Sequence, residues 1–149
     1  VVSAEEMFKE VHNYYKETDI AILSAAVADY KPKNIASEKI KKKDASLTIQ
    51  LEPTKDILAS LGDSKKQQLL IGFALETNNE LENAKGKLKR KNLDAIVLNS
   101  LQDKGAGFAT DTNKITIIDK YLNEESFQLK SKSEVAKDIL NKIIQLLNA

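Results

Sequence analysis

Leu69-Leu70-Ile71-Gly72-Phe73-Ala74-Leu75, residues 69–75, is the stretch whose reading decides the fold. It is short, continuous and without a charge, the pattern of a strand covered on both faces. Two further apolar runs, residues 19–26 and 95–99, read the same way. Helical stretches lie between them. One covers residues 56–61 and stops at Gly62, which reads as a C-cap. The other covers residues 79–92 and is rich in good helix formers. Strand, helix, strand, helix with buried strands implies an α/β fold with a mostly parallel sheet flanked by helices.

Capping boxes frame the chain. Ser3-Ala4-Glu5-Glu6 opens a helix over residues 4–16. Ser131-Lys132-Ser133-Glu134 opens a last helix whose Val135, Ile139, Ile143 and Leu146 form an apolar stripe. Residues 47–51 and 115–118 alternate or are β-branched and are expected as half-buried or edge strands. Edge strands need cover, which a second subunit can provide. A helix opening almost at residue 1 leads to the expectation that a strand and loop belong upstream.

Length and composition bound the function. The chain has 149 residues, 42% hydrophobic and 30% charged, which fits one domain. Its 23 basic and 22 acidic residues leave a net charge of +1, so no global field draws it to nucleic acid or membrane. No Cys is present, which excludes disulfides, thiolate metal sites and cysteine nucleophiles. No apolar stretch approaches the roughly 20 residues that span a bilayer. A cytoplasmic protein with no membrane partner is expected.

In open parallel sheets, ligands bind where loops leave the carboxyl ends of the strands. Three such loops start here, at residues 26–37, 76–79 and 99–108. In the first, Asp29 follows a strand of small residues. It can hydrogen-bond a ligand or help hold a metal-bound phosphate, or simply cap a turn before Pro32. Lys39, Lys41, Lys42 and Lys43 follow, as a polyphosphate wall or a solvated face. A second basic group favours the wall. At about 100° per residue, Lys87 and Lys91 share a helix face with Ala84 and Leu88, while Lys85 and Lys89 point away. Among the weaker candidates, His12 stands alone, Met7 and Tyr15 read as packing residues, and Gly105-Ala106-Gly107 is a turn-prone loop. Neither a G-x-G-x-x-G nor a P-loop motif is present.

Taken in order, "SAAVADYKP…EKIKK", "GFALETNN", "KLKRKNLDAIVLN" and "GAGFATDTNKITII" resemble phosphopantothenate–cysteine ligase, the synthetase half of the bifunctional coenzyme A biosynthesis flavoprotein of bacteria. The resemblance runs from about Val2 into the last helix. It implies a Rossmann-like CTP-binding synthetase domain over residues 1–149 that dimerises through additional strands, with the family's N-terminal part missing. It also implies CTP-dependent activation of 4′-phosphopantothenate to an acyl-cytidylate with loss of pyrophosphate. The amine of cysteine then forms the amide and releases CMP, with Mg2+ assisting.

Position by position, the resemblance carries nucleotide binding to Leu23, Ser24, Ala25 and Asp29, to Phe73, to Lys87 and Lys91, and to the turn Lys55, Asp56, Ile57 and Leu58. Lys39 matches the lysine required for activity, and would neutralise charge building on the phosphates. Two departures stand out. The family usually reads Asn-Pro-Asp-Ile where this chain has Thr54-Lys55-Asp56-Ile57. Its N-terminal glycine-rich strand-loop, with an asparagine needed for the acyl-cytidylate to react, has no counterpart. Weak or no ligation by this chain alone is therefore expected, and no FMN. Two other classes compete. A nucleic-acid-binding module is disfavoured by near-neutral charge and 5% aromatics, and a Rossmann-type oxidoreductase by the missing glycine fingerprint.

Overall fold

The computed structural model describes residues 1–41, 46–100 and 110–148. The Ser3 hydroxyl accepts from the Glu6 amide and starts helix α1 (Ala4–Tyr15). The chain then enters β1 (Ile20–Leu23) and leaves the sheet for a short antiparallel ribbon, β2 (Tyr30–Pro32) with β3 (Leu51–Pro53). Asp56 caps α2 (Ile57–Ser64), which returns the chain to β4 (Leu69–Glu76). Helix α3 (Glu80–Arg90) leads to β5 (Ala95–Ser100). After β6 (Thr112–Asn113) come β7 (Ile115–Asp119), β8 (Glu124–Ser126) and β9 (Lys130–Ser131), and α4 (Lys132–Leu147) ends the fold.

The central sheet runs β1-β4-β5-β7-β8. The pairs β1–β4 and β4–β5 are parallel, and β5–β7 and β7–β8 are antiparallel. Residues 69–75 thus lie in a strand hydrogen-bonded on both sides, as a charge-free run demands. Alternation divides its side chains. Leu70 and Ala74 pack with Ile96, Ile118 and the core of α1, α2 and α3, while Leu69 and Ile71 pack with Val97, Ile117 and α4. All four stripe residues of α4 are buried.

Four expectations change. The strand in residues 19–26 is shorter and lies at a sheet edge, with Ile22 43% exposed, because nothing described pairs with its outer side. Residues 115–118 form an interior strand, not an edge: β8 covers β7, and Ile115, Ile117 and Ile118 are buried. Of residues 47–51 only Leu51 is in a strand, because β3 pairs only with the three residues of β2. Gly62 does not stop α2; it lies inside the helix and is buried. Its missing side chain serves packing. A Cβ there would stand 2.0 Å from the Lys91 carbonyl oxygen. The Asn92 amide donates to the Gly62 carbonyl (3.0 Å), and Asn92, at φ 50°, turns the chain out of α3.

Two expectations test this packing. Gly62→Ala should cost about 1–3 kcal/mol, read as a lower urea midpoint, since backbone cannot yield as a side chain can. Asp119 is buried and accepts from Lys142 (3.0 Å) and the Asn123 amide (3.1 Å). Burial works to raise its pKa, but these bonds outweigh it and hold the carboxyl below its ordinary value. The stability it contributes is therefore complete above the unfolded-chain value and drains as pH falls through the lower folded one. Urea midpoints measured down the acid limb should fall less steeply in Asp119→Asn than in the parent.

Candidate functional site

At the carboxyl ends of β1 and β4 the structure opens a cavity of about 620 Å3. Leu23 and Ala25, at and just past the end of β1, form part of its lining, and Phe73 and Leu75 of β4 another part. The turn through Thr54, Lys55 and Asp56, with Ile57 and Leu58 of α2, makes a wall. Asp29 and Lys91 complete it from the chain before β2 and the end of α3. Gly72 helps seat that wall. A Cβ there would lie 2.6 Å from Leu58 Cδ2 and 2.9 Å from Leu93 Cδ1, so the bare backbone of β4 is what these two leucine ends settle against.

Local bonds fix the polar groups. The Thr54 amide donates to the Asp29 carbonyl (2.9 Å) and the Thr54 hydroxyl to the Ala28 carbonyl (2.6 Å). These bonds tie the Asp29 segment to the turn into α2. The Lys55 ammonium pairs with Glu5 at 3.0 Å and lies 4.7 Å from the Phe8 ring centroid. That bond is the main cause of the lowered pKa of Glu5. Asp56 accepts from the Ala59 amide at 3.0 Å, capping α2, and holds the Lys91 ammonium at 2.8 Å and 3.1 Å through its two oxygens. Partial burial works to raise the Asp56 pKa; the Lys91 and Ala59 bonds more than reverse it. Each of these two cavity ammoniums thus has its own carboxylate.

The expected residues divide. Leu23, Ala25, Asp29, Lys55, Asp56, Ile57, Leu58, Phe73 and Lys91 share the cavity. Ser24 lines an adjoining groove between α1 and β1, which shares Met7, Leu23 and Ala25 with the cavity. Lys87, one turn before Lys91, is bonded at 2.5 Å to Glu76, which also accepts from the Asn83 amide (3.3 Å); neither Lys87 nor Glu76 lines the cavity. Lys39 is exposed in the segment joining β2 to β3, also outside the lining. Of the four-lysine run, Lys42 and Lys43 lie outside the described residues, as does Gly105-Ala106-Gly107. Asp29 and Lys91 therefore meet around one space, and Lys39 and Lys87 do not join them there.

Some departures from expectation have local causes. Lys85, expected to point away, pairs with Glu124 of β8 at 2.7 Å. His12 ties α1 to α2, its ring nitrogens bonded to the Phe8 carbonyl (2.7 Å) and the Ser60 hydroxyl (2.8 Å). Sequence reasoning missed Thr54 and Leu75 as cavity residues and Glu76 as the partner of Lys87. For Leu75 the signal was available: two residues beyond Phe73, it must share its face. Thr54 gave none, because its bonds reach 26 residues back in the chain.

Comparisons with known proteins agree with this architecture. The model of the DNA/pantothenate metabolism flavoprotein C-terminal domain matches residues 1–147. A curated relative named as a cysteine/cysteine sulfinic acid decarboxylase, from an unidentified prokaryote, is 56% identical over 99% of this chain and 42% of its own length. The coenzyme A biosynthesis bifunctional protein CoaBC of Bacillus subtilis is 44% identical over 98% of this chain and 36% of its own. The chain thus spans well under half the length of these relatives. A crystal structure of the C-terminal domain of a CoaBC superposes with a TM-score of 0.81 at 38% identity, covering 99% of this chain and 64% of that one.

Lys91→Met should change stability by no more than about 1 kcal/mol, because the Asp56 carboxylate it abandons is half exposed and can hydrate. A thermal melt of the variant checks this. A larger loss would make the pair a structural bolt and not an available cation.

Proposed function

This chain belongs to the DNA/pantothenate metabolism flavoprotein C-terminal domain family, and on that premise we propose that it joins 4′-phosphopantothenate to cysteine using CTP, as the synthetase part of a coenzyme A biosynthesis protein. The observation that carries the reading is spatial. Asp29, Phe73, Lys91 and the turn at residues 55–58, from four separate segments, line one cavity at the carboxyl ends of parallel strands. The cavity combines exposed backbone past β1 and an aromatic ring for the nucleoside with ammonium groups for phosphates.

The chemistry is two displacements. A carboxylate oxygen of phosphopantothenate attacks the α-phosphorus of CTP, and the bond to pyrophosphate breaks. The amine of cysteine then attacks the acyl carbon, loses a proton, and the bond to CMP breaks. In both, charge moves onto phosphate oxygens, and Lys91 and Lys55 are the cavity's cations to meet it. Lys39, on the segment between β2 and β3, is assigned to the same charge on the strength of the family resemblance alone. Among the described residues no cluster of three His, Cys, Asp or Glu could hold a metal. Magnesium would be brought in on the triphosphate, with Asp29 the cavity carboxylate to help hold it, and would supply charge neutralisation. No FMN is required.

The partner is a second copy of the chain. The ribbon exposes Tyr30 and Leu51 in its strands and Ile35 and Ile49 beside them, an apolar surface joined to an edge that is unpaired among the described residues. Pairing two ribbons would cover both. A second reading follows from the decarboxylase name of the 56% identical relative, and would make the parent protein a decarboxylase of cysteine or its sulfinic acid.

One assay on the full-length protein separates these. Pyrophosphate release that needs both CTP and 4′-phosphopantothenate, followed by CMP on adding cysteine, supports the ligase. Lys39→Ala should slow it about 100-fold or more while CTP binding changes little. Carbon dioxide release from cysteine sulfinic acid without nucleotide turnover would sink it. For the partner, Ile49→Glu should shift a dimer to a monomer in sedimentation, and a parent already monomeric would refute the pairing.

A further inference from the structure

Lys91 is held in place twice, and the two restraints differ. Its backbone is clamped: its carbonyl sits against the bare face of Gly62, and the neighbouring Asn92 is bonded to the Gly62 carbonyl and receives the Lys65 ammonium at 2.6 Å. Its side chain reaches along α2 to the Asp56 carboxylate, which bridges it with both oxygens. Lys91 is only 20% exposed in that pose, and Asp56 is 51% exposed. Asp56 cannot follow a departing ammonium, because one oxygen is also the N-cap of α2. A polyphosphate entering the cavity therefore meets a cation already paired. Asp56 takes two of the three ammonium donors, so full engagement of the phosphates draws the side chain off Asp56 while the backbone stays put.

We infer that Asp56 is a resident counter-ion for Lys91, a positioning residue that a bound polyphosphate must displace, and that it thereby weakens binding and speeds release of pyrophosphate. This rests on the nucleotide reading above and refines it: Asp56 competes with the phosphates instead of contacting the nucleotide. The balance is fine, since a half-exposed ion pair adds only a modest factor to an equilibrium. That suits an enzyme that must let its product go.

Asp56→Asn isolates the charge, because asparagine caps a helix about as well as aspartate. The probe is inorganic pyrophosphate, titrated calorimetrically into the full-length protein in metal-free buffer over a range of salt. The Asp56→Asn variant should bind it about two- to fivefold tighter, with a steeper salt dependence, since no internal pair is left to weaken as salt rises. In a Lys91→Met background the same substitution should have no effect. Melting temperatures of all variants verify folding. Equal affinity in parent and Asp56→Asn would overturn the counter-ion role while leaving the nucleotide reading intact. Weaker binding by Asp56→Asn would also overturn it, showing Asp56 to be a ligand contact. Absence of pyrophosphate binding in a folded parent, both in metal-free buffer and with magnesium added, would overturn both.

Discussion

The structure depends on one close approach, the Lys91 carbonyl against the side-chain-free surface of Gly62. Both helices lie on the same face of the sheet, and any side chain at residue 62 would force them apart. The contact brings the last turn of α3 within reach of the first turn of α2. A lysine leaving one helix can then meet an aspartate starting the other. That junction, with Leu58 seated over Gly72, sets the width of the cavity above β4. Two glycines at packing contacts, and none at a phosphate turn among the described residues, shape this pocket.

Electrostatically the cavity is closed on itself. Lys55 is paired with Glu5, Lys91 with Asp56, and nearby Lys87 with Glu76. Without ligand these pairs remove the repulsion of clustered ammoniums, and Lys55, Glu5 and Asp56 are exposed enough to hydrate when a pair opens. A polyanion exchanges one set of partners for another. A site of this kind would bind phosphates moderately and reversibly, as the proposed ligation, with its release of pyrophosphate on each turnover, requires.

Much of the fold was legible because strong local signals agreed with the global one. The charge-free run 69–75, both capping boxes and the α4 stripe each permit a single placement. The errors share a cause: neighbours distant in sequence. Whether residues 115–118 were edge or interior depended on β8, a strand of two glutamates and a serine with little strand character of its own. Gly62 looked like a helix stop because local rules see its backbone freedom, whereas its role comes from residue 91. In the site, helical periodicity correctly grouped Lys87 with Lys91 on one face, but could not show that only the second reaches the cavity. Asp29 stood out as the acid after a strand of small residues, and resemblance added Phe73 and the turn 55–58; their common position required the folded ribbon.

The central claim is that one cavity takes a triphosphate nucleotide with Lys91 turned from its aspartate onto phosphate. A crystal structure of the full-length protein with a non-hydrolysable CTP analogue examines it directly. The account requires the ring of Phe73 and the backbone past β1 beside the nucleoside, with the Lys91 ammonium within hydrogen-bond distance of a phosphate oxygen. A nucleotide bound elsewhere, or Lys91 still bridged by Asp56 beneath a bound triphosphate, would contradict it.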